Sequence, residues 1–431
     1  MALGSLALIL AVLLALLALG VPIAYSIGIA ALAAILGSVP PEVSVITAAQ
    51  RTFVGMSTFS LTAIPFFILA GNLMNQGGIA KRLVNFVLAL LGRLPGALLV
   101  TNAGANALFG AISGSASASA AAVGGMLRDG AGDYDPALLA AANGASAPSG
   151  LLIPPSNALI TYSLASGGTS VAALFLGGYV PGLLWMLGCM AVGVALARRE
   201  GHRGVRGRFD WKALGRATLQ ALPALSLIVV VIGGIVGGIF TATEGSAIAV
   251  VYALLLGVCY RNITRKSLWQ AVVDSAKLSG MVVFLIGVSN ILGWVMAFLQ
   301  IPQAVAAALL GLTDSPVVIL LLMNLILLAA GTFLDVTPAI LIFTPLFLPI
   351  VRTFGMHPVH FGLVLVYNMC IGNITPPVGN TLFVAIKVGR TTLGRTLPYL
   401  IWYYLAILAG LVLVTYLPVL STGLPAWAGL L

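Results

Sequence analysis

Four clusters in this chain have residue types and spacings that could do chemistry, and all four are rich in oxygen atoms. Two lie at the centres of apolar stretches: Ser113-Gly114-Ser115-Ala116-Ser117-Ala118-Ser119, and Gly331-Thr332-Phe333-Leu334-Asp335-Val336-Thr337-Pro338. Two are double prolines among small and polar residues: Gly150-Leu151-Leu152-Ile153-Pro154-Pro155-Ser156-Asn157, and Gly372-Asn373-Ile374-Thr375-Pro376-Pro377-Val378-Gly379-Asn380. Proline removes a backbone donor and clashes with the preceding turn, so two in succession unwind a helix and leave carbonyl oxygens without partners. Such carbonyls, with Ser, Thr and Asn side chains, are the hard oxygen ligands that Na⁺ accepts. Helix N-termini beside them attract anionic groups.

Each cluster also has a plainer reading. Small residues let membrane helices approach closely, so the serine-rich run could be a packing seam. A single proline kink in a membrane helix is usually structural, but two matched breaks, each following a chain reversal at similar distance, favour a transport site. Asp335 is the one carboxylate expected deep in the bundle, where an ionisable residue is a functional candidate; the plainer reading, a cap for the helix starting at Val336, is compatible with that role and ranks second. Glu244 reads rather as a partner of a helix N-terminus. Neither acid has a His or Cys neighbour at metal or triad spacing, and His202, His357 and His360 fall in or beside loops, so an enzyme is not expected.

The elements that position these clusters are membrane helices. Of 431 residues 60% are hydrophobic and 7% charged, which excludes a soluble protein. Stretches able to cross fall at 3–19, 21–38, 60–76, 134–166, 170–196, 220–240, 243–260, 281–299, 358–386 and 399–419. The stretches 97–127 and 316–351 are too long for one crossing and are interrupted at their centres, so both read as re-entrant hairpins whose tips must face protein or a polar cavity. The first stretch lacks a basic start and reads as a retained helix rather than a cleaved signal. Cys189, Cys259 and Cys370 lie in apolar runs without CxxC spacing and read as packing residues.

The net charge of +10 reads as topology. With the N-terminus outside, only Arg51 and Arg352 of the 20 basic residues remain outside, and both termini are expected there. The connection carrying Arg198, Arg199, Arg203, Arg206, Arg208, Lys212 and Arg216 divides the chain at 197–217. The unit 1–196, with hairpin 97–127 and broken helix 134–166, and the unit 218–431, with hairpin 316–351 and broken helix 358–386, each hold five crossings, so they enter the membrane from opposite faces as an inverted repeat. Segments 43–55, 79–93, 263–279 and 388–398 read as interfacial arms, and Trp211, Trp269, Trp402 and Trp427 as interface anchors.

The segment Ile64-Pro65-Phe66-Phe67-Ile68-Leu69-Ala70-Gly71-Asn72-Leu73-Met74, the run Ser113 to Ser119, Leu152-Ile153-Pro154-Pro155-Ser156, Thr243-Glu244-Gly245 and Thr375-Pro376-Pro377-Val378-Gly379 together resemble the large permease subunit, or M subunit, of tripartite ATP-independent periplasmic (TRAP) transporters. The resemblance covers nearly the whole chain. It implies an all-α polytopic protein of the bacterial or archaeal inner membrane, similar to the wider ion-transporter superfamily. In that fold a transport domain holding both hairpins moves like an elevator against a scaffold. It also implies Na⁺-coupled import of a small organic acid, a periplasmic substrate-binding protein, and a separate small four-helix Q subunit.

Carried onto this sequence, the resemblance implies one sodium site from Ser113, Ser115, Ser117, Asn143, Ser146, Pro154 and Ser156. A second would use Gly331, Thr332, Thr337, Gly372, Thr375, Pro376 and Gly379, with Asp335 beside it. Substrate would sit between the tips, near Ser115, Ser156, Asp335 and Asn380. Some carboxylate importers place an arginine near the second hairpin, yet no Arg or Lys occurs between Lys277 and Arg352 here. The substrate acid is therefore expected to meet Ser, Thr, Asn, helix ends or bound Na⁺. A stand-alone anion symporter of the same superfamily, working without a binding protein, is the nearest alternative.

Overall fold

The computed structural model describes every residue except Met1, Ala131, residues 203–209 and Asp314. Arg203, Arg206 and Arg208 of the basic connection thus lie outside the described residues. Among the described residues all regular structure is helical.

The first half opens with α1 (Ala2–Ala18), α2 (Ile23–Leu36), α3 (Pro41–Met56), a 3-10 turn at Phe59–Thr62, α4 (Ala63–Gln76) and α5 (Ile79–Leu91). A hairpin follows, α6 (Ala97–Ser113) and α7 (Ala116–Asp129), and then a helix broken into α8 (Pro136–Ser146), α9 (Ser149–Leu152) and α10 (Asn157–Ala165). The 29-residue α11 (Val171–Arg199) closes the half. The second half holds α12 (Trp211–Val236), α13 (Ala242–Cys259), α14 (Arg265–Phe298) and α15 (Ile301–Leu310). Its hairpin is α16 (Pro316–Gly331) and α17 (Val336–Thr353), its broken helix is α18 (Pro358–Gly372) and α19 (Asn380–Gly389), and α20 (Leu393–Tyr416) and α21 (Val419–Trp427) end the chain.

Both hairpins and both breaks are therefore present. Six helices, α11, α12, α13, α14, α17 and α20, are individually long and apolar enough to cross a bilayer, and α3 with α4 makes a seventh such span bent by 59°. α17 is one arm of a hairpin despite its length. The remaining expected crossings are assembled from shorter pieces, including α1 and α2 of 17 and 14 residues.

The two hairpins point at each other. α10 leaves the first break and runs beside α17, and Tyr162 Oη donates to Pro358 O at 2.7 Å near the base of the second hairpin. α19 leaves the second break and runs beside α7, where Arg128 Nη1 at the base of the first hairpin donates to Val388 O at 3.0 Å. Each broken helix thus carries its chain from the tips toward the base of the other half's hairpin.

Equivalent contacts hold each hairpin to its own break. Gly110 meets Gly150 so closely that a Cβ on Gly150 would stand 2.2 Å from Gly110 Cα. In the second half Gly331 meets Gly372, where a Cβ on Gly372 would stand 2.4 Å from the Gly331 carbonyl carbon. Gly110 lies four residues before Gly114 and Gly331 four before Asp335, and Gly150 and Gly372 each lie four before the first proline of their pair. The same backbone contact is built twice, which the inverted repeat requires and which only residues without side chains permit.

Two expectations are corrected. The arm at 263–279 is not separate: a Thr264–Ser267 capping box starts α14 at Arg265 and the helix continues to Phe298. Nothing between Lys277 and Met281 breaks a helix, so the polar segment and the apolar span form one rod of about 50 Å, longer than the roughly 30 Å hydrocarbon core. Cys189 and Cys370 are buried, but Cys259 is exposed. α13 buries a stripe of Gly245, Ala249, Ala253 and Gly257, packs closely on α4, and Cys259 lies off that stripe. The four tryptophans read as anchors are all well exposed.

Candidate ion and substrate site

The tip of the first hairpin forms because Gly114 turns the chain with a φ of +62° and Ser115 then caps α7, its Oγ accepting from Ala118 N at 3.3 Å. Ser113 Oγ donates to Ser115 O at 3.4 Å, and the Ser115 and Ser117 hydroxyls lie 3.2 Å apart. Three hydroxyls therefore crowd one turn. At the second tip Asp335 caps α17, its Oδ1 accepting from Val336 N at 2.9 Å, and Asn380 borders the same cavity from the start of α19. Thr332 O accepts from Val378 N at 3.3 Å, tying this tip to its own break.

Both tips line one cavity of about 630 Å³. Ser113, Ser115 and Ser117 face it from the first hairpin, and Asp335 and Thr337 from the second. The breaks contribute Asn157, Asn373 and Asn380, while α4 and α14 close the other wall with Asn72, Asn75, Leu278 and Val282. Asp335, expected deep in the bundle, is instead exposed, and it borders this cavity. The volume falls within the roughly 300–1,000 Å³ of ordinary small-molecule sites.

The other expected site residues are distributed as follows. Ser156 caps α10, accepts from Leu159 N at 3.4 Å and donates to Leu151 O, so its hydroxyl bridges the break and is fully buried behind the cavity wall. Pro154 and Pro376 begin the two cis Pro-Pro peptides. Ser146 is buried at the end of α8, with its carbonyl accepting from Ser149 Oγ at 2.7 Å. Asn143 sits further down the first hairpin, where its amide donates to Ala120 O at 2.8 Å and its Oδ1 accepts from Asn106 Nδ2 at 3.1 Å. Ser119 Oγ completes that network by donating to Asn106 Oδ1 at 2.7 Å, fastening both hairpin arms to α8. Gly331 and Gly372 touch backbone to backbone, Thr332 Oγ1 and Thr375 Oγ1 donate to Ala329 O and Ile371 O at 2.7 Å each, and Gly379 turns the chain into α19.

Glu244 is absent from the cavity lining. Thr241 N donates to its Oε2 at 2.7 Å and its own N–H donates to Thr241 Oγ1 at 3.3 Å, the reciprocal capping box of a helix start.

Several lining residues were given no site role by the sequence reading, and two matter most; the first is Asn157, quoted there only as part of the first break. Asn157 Oδ1 is buried against the first tip without a hydrogen-bond partner, and a Cβ on Gly114 would lie 2.6 Å from the Asn157 amide nitrogen. Asn157 and Asn380 are the first residues of the two helices that leave the breaks, so each touches one tip. Lys387 is the second. Asn380, Phe383, Val384 and Lys387 share one face of α19 at helical spacing, and all four line the cavity. The charge map put Lys387 among topology-setting loop residues. The structure instead places a lysine in the lining of a space that the sequence reading left without a cation.

The sequence model of the family described as "Tripartite ATP-independent periplasmic transporter, DctM component" matches residues 10–420. The chain is 49% identical to a Salmonella typhimurium protein named "Uncharacterized protein YgiK", over 98% of this chain and 96% of that one. It is 38% identical to a Pseudomonas aeruginosa protein named "C4-dicarboxylate TRAP transporter large permease protein DctM", covering 90% of this chain and 91% of that one. Among solved structures, the YdaH transporter of Alcanivorax borkumensis superposes with a TM-score of 0.56 at 18% identity, covering 86% of each chain, a likeness of fold.

Proposed function

The chain belongs to the DctM family of tripartite ATP-independent periplasmic transporters, and on that premise we propose that it is the large permease of a sodium-coupled importer of a small organic acid. The observation that carries this reading is the convergence of polar groups from two opposed hairpin tips and two helix breaks on one cavity. Oxygen atoms dominate its polar lining, as a Na⁺ site needs, and Asn157 Oδ1 is an acceptor with no protein partner to give up. We assign the first ion to the Ser113–Ser117 turn with Asn157. The second is assigned to the Thr332–Thr337 turn with the carbonyls of the second break.

Organic acid then binds between the ions. Bound Na⁺ neutralises part of its charge, the N-termini of α7, α10, α17 and α19 point positive ends toward it, and Lys387 meets one carboxylate. Asp335 borders the same space, and its carboxylate, when ionised, adds a negative charge that favours cation occupancy. The name of the Pseudomonas relative makes C4-dicarboxylates the first class to test.

In this reading the hairpins, breaks and their flanking helices move as one body against α3, α4, α12, α13 and α14, carrying ions and acid across together. A periplasmic binding protein delivers the acid to the outer face, a small Q subunit supports the static body, and both termini lie outside. Each Na⁺ moving inward across 100 mV contributes about 2.3 kcal/mol, so two ions offset a dianion's opposing charge and further ions concentrate it.

The test is uptake into proteoliposomes holding this chain with its small subunit, supplied with candidate binding proteins and a C4-dicarboxylate, with and without an inward Na⁺ gradient. Concentrative uptake only with both the gradient and a binding protein is the expected result. Uptake without a binding protein would favour the stand-alone symporter.

A further inference from the structure

A second cavity, of about 370 Å³, lies between α3 and α14 on one side and α10 and α17 on the other. α14 crosses α3 tightly, since a Cβ on Gly55 would stand 3.0 Å from Gly287 Cα. One turn before Gly55 stands Arg51, and two turns after Gly287 stands Trp294, so the guanidinium lies over the indole with its carbon 5.4 Å from the ring centroid. Among the described residues no carboxylate pairs with Arg51.

Ser289, further round α14, lines the cavity while only 4% exposed, and its Oγ has no hydrogen-bond partner. A buried hydroxyl left unpaired costs free energy, so its persistence points to a partner that the chain does not supply. Asn290 adds an amide from the next position. Guanidinium, hydroxyl and amide are together the donor set for an oxyanion, and the opposite wall of Leu164 and Leu341 is apolar.

The two cavities lie in succession along the same two helices. α10 lines the cavity between the tips with Asn157 and Thr161, and the second cavity with Leu164 and Ala165. α17 lines the first with Val336 and Thr337, and the second with Leu341 and Pro345. The step is about one helical turn on each, roughly 5 Å. The two cavities therefore border the same helix pair at successive levels.

We propose that this cavity is a separate oxyanion-binding station, in which Arg51 and Ser289 hold a carboxylate of the organic acid before it reaches the tips. The proposal rests on the transport function given above. Arg51 is one of two basic residues that the charge pattern leaves outside, so the station lies where acid released by a binding protein first meets the permease. An anionic lipid phosphate presents the same chemistry, and the test separates the two sources.

Uptake of a radiolabelled probe would be measured in proteoliposomes as a function of its concentration. The probe is the member of a panel of succinate, an α-keto acid and a short sulfonate that the wild-type complex takes up. Wild type, Arg51→Gln, Arg51→Lys and Ser289→Ala would be compared in phosphatidylcholine alone and with phosphatidylglycerol added. The expected result is a half-saturating concentration raised about tenfold by Arg51→Gln and about threefold by Ser289→Ala in both lipid mixtures, with partial recovery in Arg51→Lys and an unchanged Na⁺ half-saturation. Unchanged half-saturation in Ser289→Ala together with either arginine variant would overturn the proposal, and so would an effect confined to vesicles containing phosphatidylglycerol. The wild type's response to Na⁺ reads the functional assignment separately, because Na⁺-independent uptake would overturn that assignment while leaving the Arg51 comparison intact.

Discussion

Gly331 and Gly372 meet backbone to backbone, and their contact repeats that of Gly110 with Gly150 in the first half. In each half a hairpin arm is pinned to the helix that breaks four residues later, which fixes the tip against the unwound segment. The contact involves backbone atoms on both sides, so no rotamer change can relieve an added methyl. Gly372→Ala and Gly150→Ala are each expected to lower stability by about 1–3 kcal/mol, read as a drop in thermal midpoint of the purified chain, with uptake falling as well. An alanine at Gly125 meets open space and is expected to change neither.

Asn157 separates a structural tip from an ion-binding one. Its Oδ1 has no protein acceptor role to lose, so Asn157→Ala costs the fold little through that atom. Its expected effect is a rise of about tenfold in the Na⁺ concentration that half-saturates uptake, equivalent to losing one ligand worth about 1.4 kcal/mol. Titration of uptake against Na⁺ at fixed substrate reads this directly.

Lys387 is exposed to the cavity, where water and salt weaken its charge, so its pairing with a carboxylate is worth about 1 kcal/mol. Lys387→Gln is expected to raise the substrate half-saturating concentration roughly fivefold, and Lys387→Arg to restore most of it. The loss should shrink at high ionic strength.

The Thr241–Glu244 capping box assigns Glu244 to helix initiation. Thr241→Ala is expected to destabilise α13 by about 1 kcal/mol while leaving the Na⁺ half-saturation of uptake unchanged. A shift in Na⁺ dependence would return Glu244 to the list of ion ligands.

Much of this arrangement was legible because the breaks are written in backbone chemistry. Pro154-Pro155 and Pro376-Pro377 cannot continue a helix in any tertiary context, and Gly114 and Asp335 mark reversals inside stretches too long to cross once. Lys387 was not legible as a cavity residue, since a basic residue near the end of an apolar run reads as a topology signal. Only its seven-residue spacing from Asn380 hinted at a shared face. The continuity of α14 was hidden for a related reason, because its polar first turns and apolar body look like two segments although nothing interrupts the helix. Ser156 illustrates the reverse case, a polar residue in the right motif whose hydroxyl is spent on Leu151 O and α10. Side-chain direction around a break depends on the path of the chain through it, and composition does not carry that path.

The most direct test of the central claim is Na⁺ binding to the purified chain with its small subunit, followed calorimetrically in wild type and in a Ser115→Ala/Thr337→Val double variant, one change at each tip. Saturable binding in the wild type that the double variant loses, while the variant still unfolds cooperatively in Na⁺-free buffer with only the small drop in thermal midpoint expected from losing the Ser115 cap, is the predicted result. An isotherm unchanged by the two substitutions would contradict it and place the ions elsewhere in the molecule.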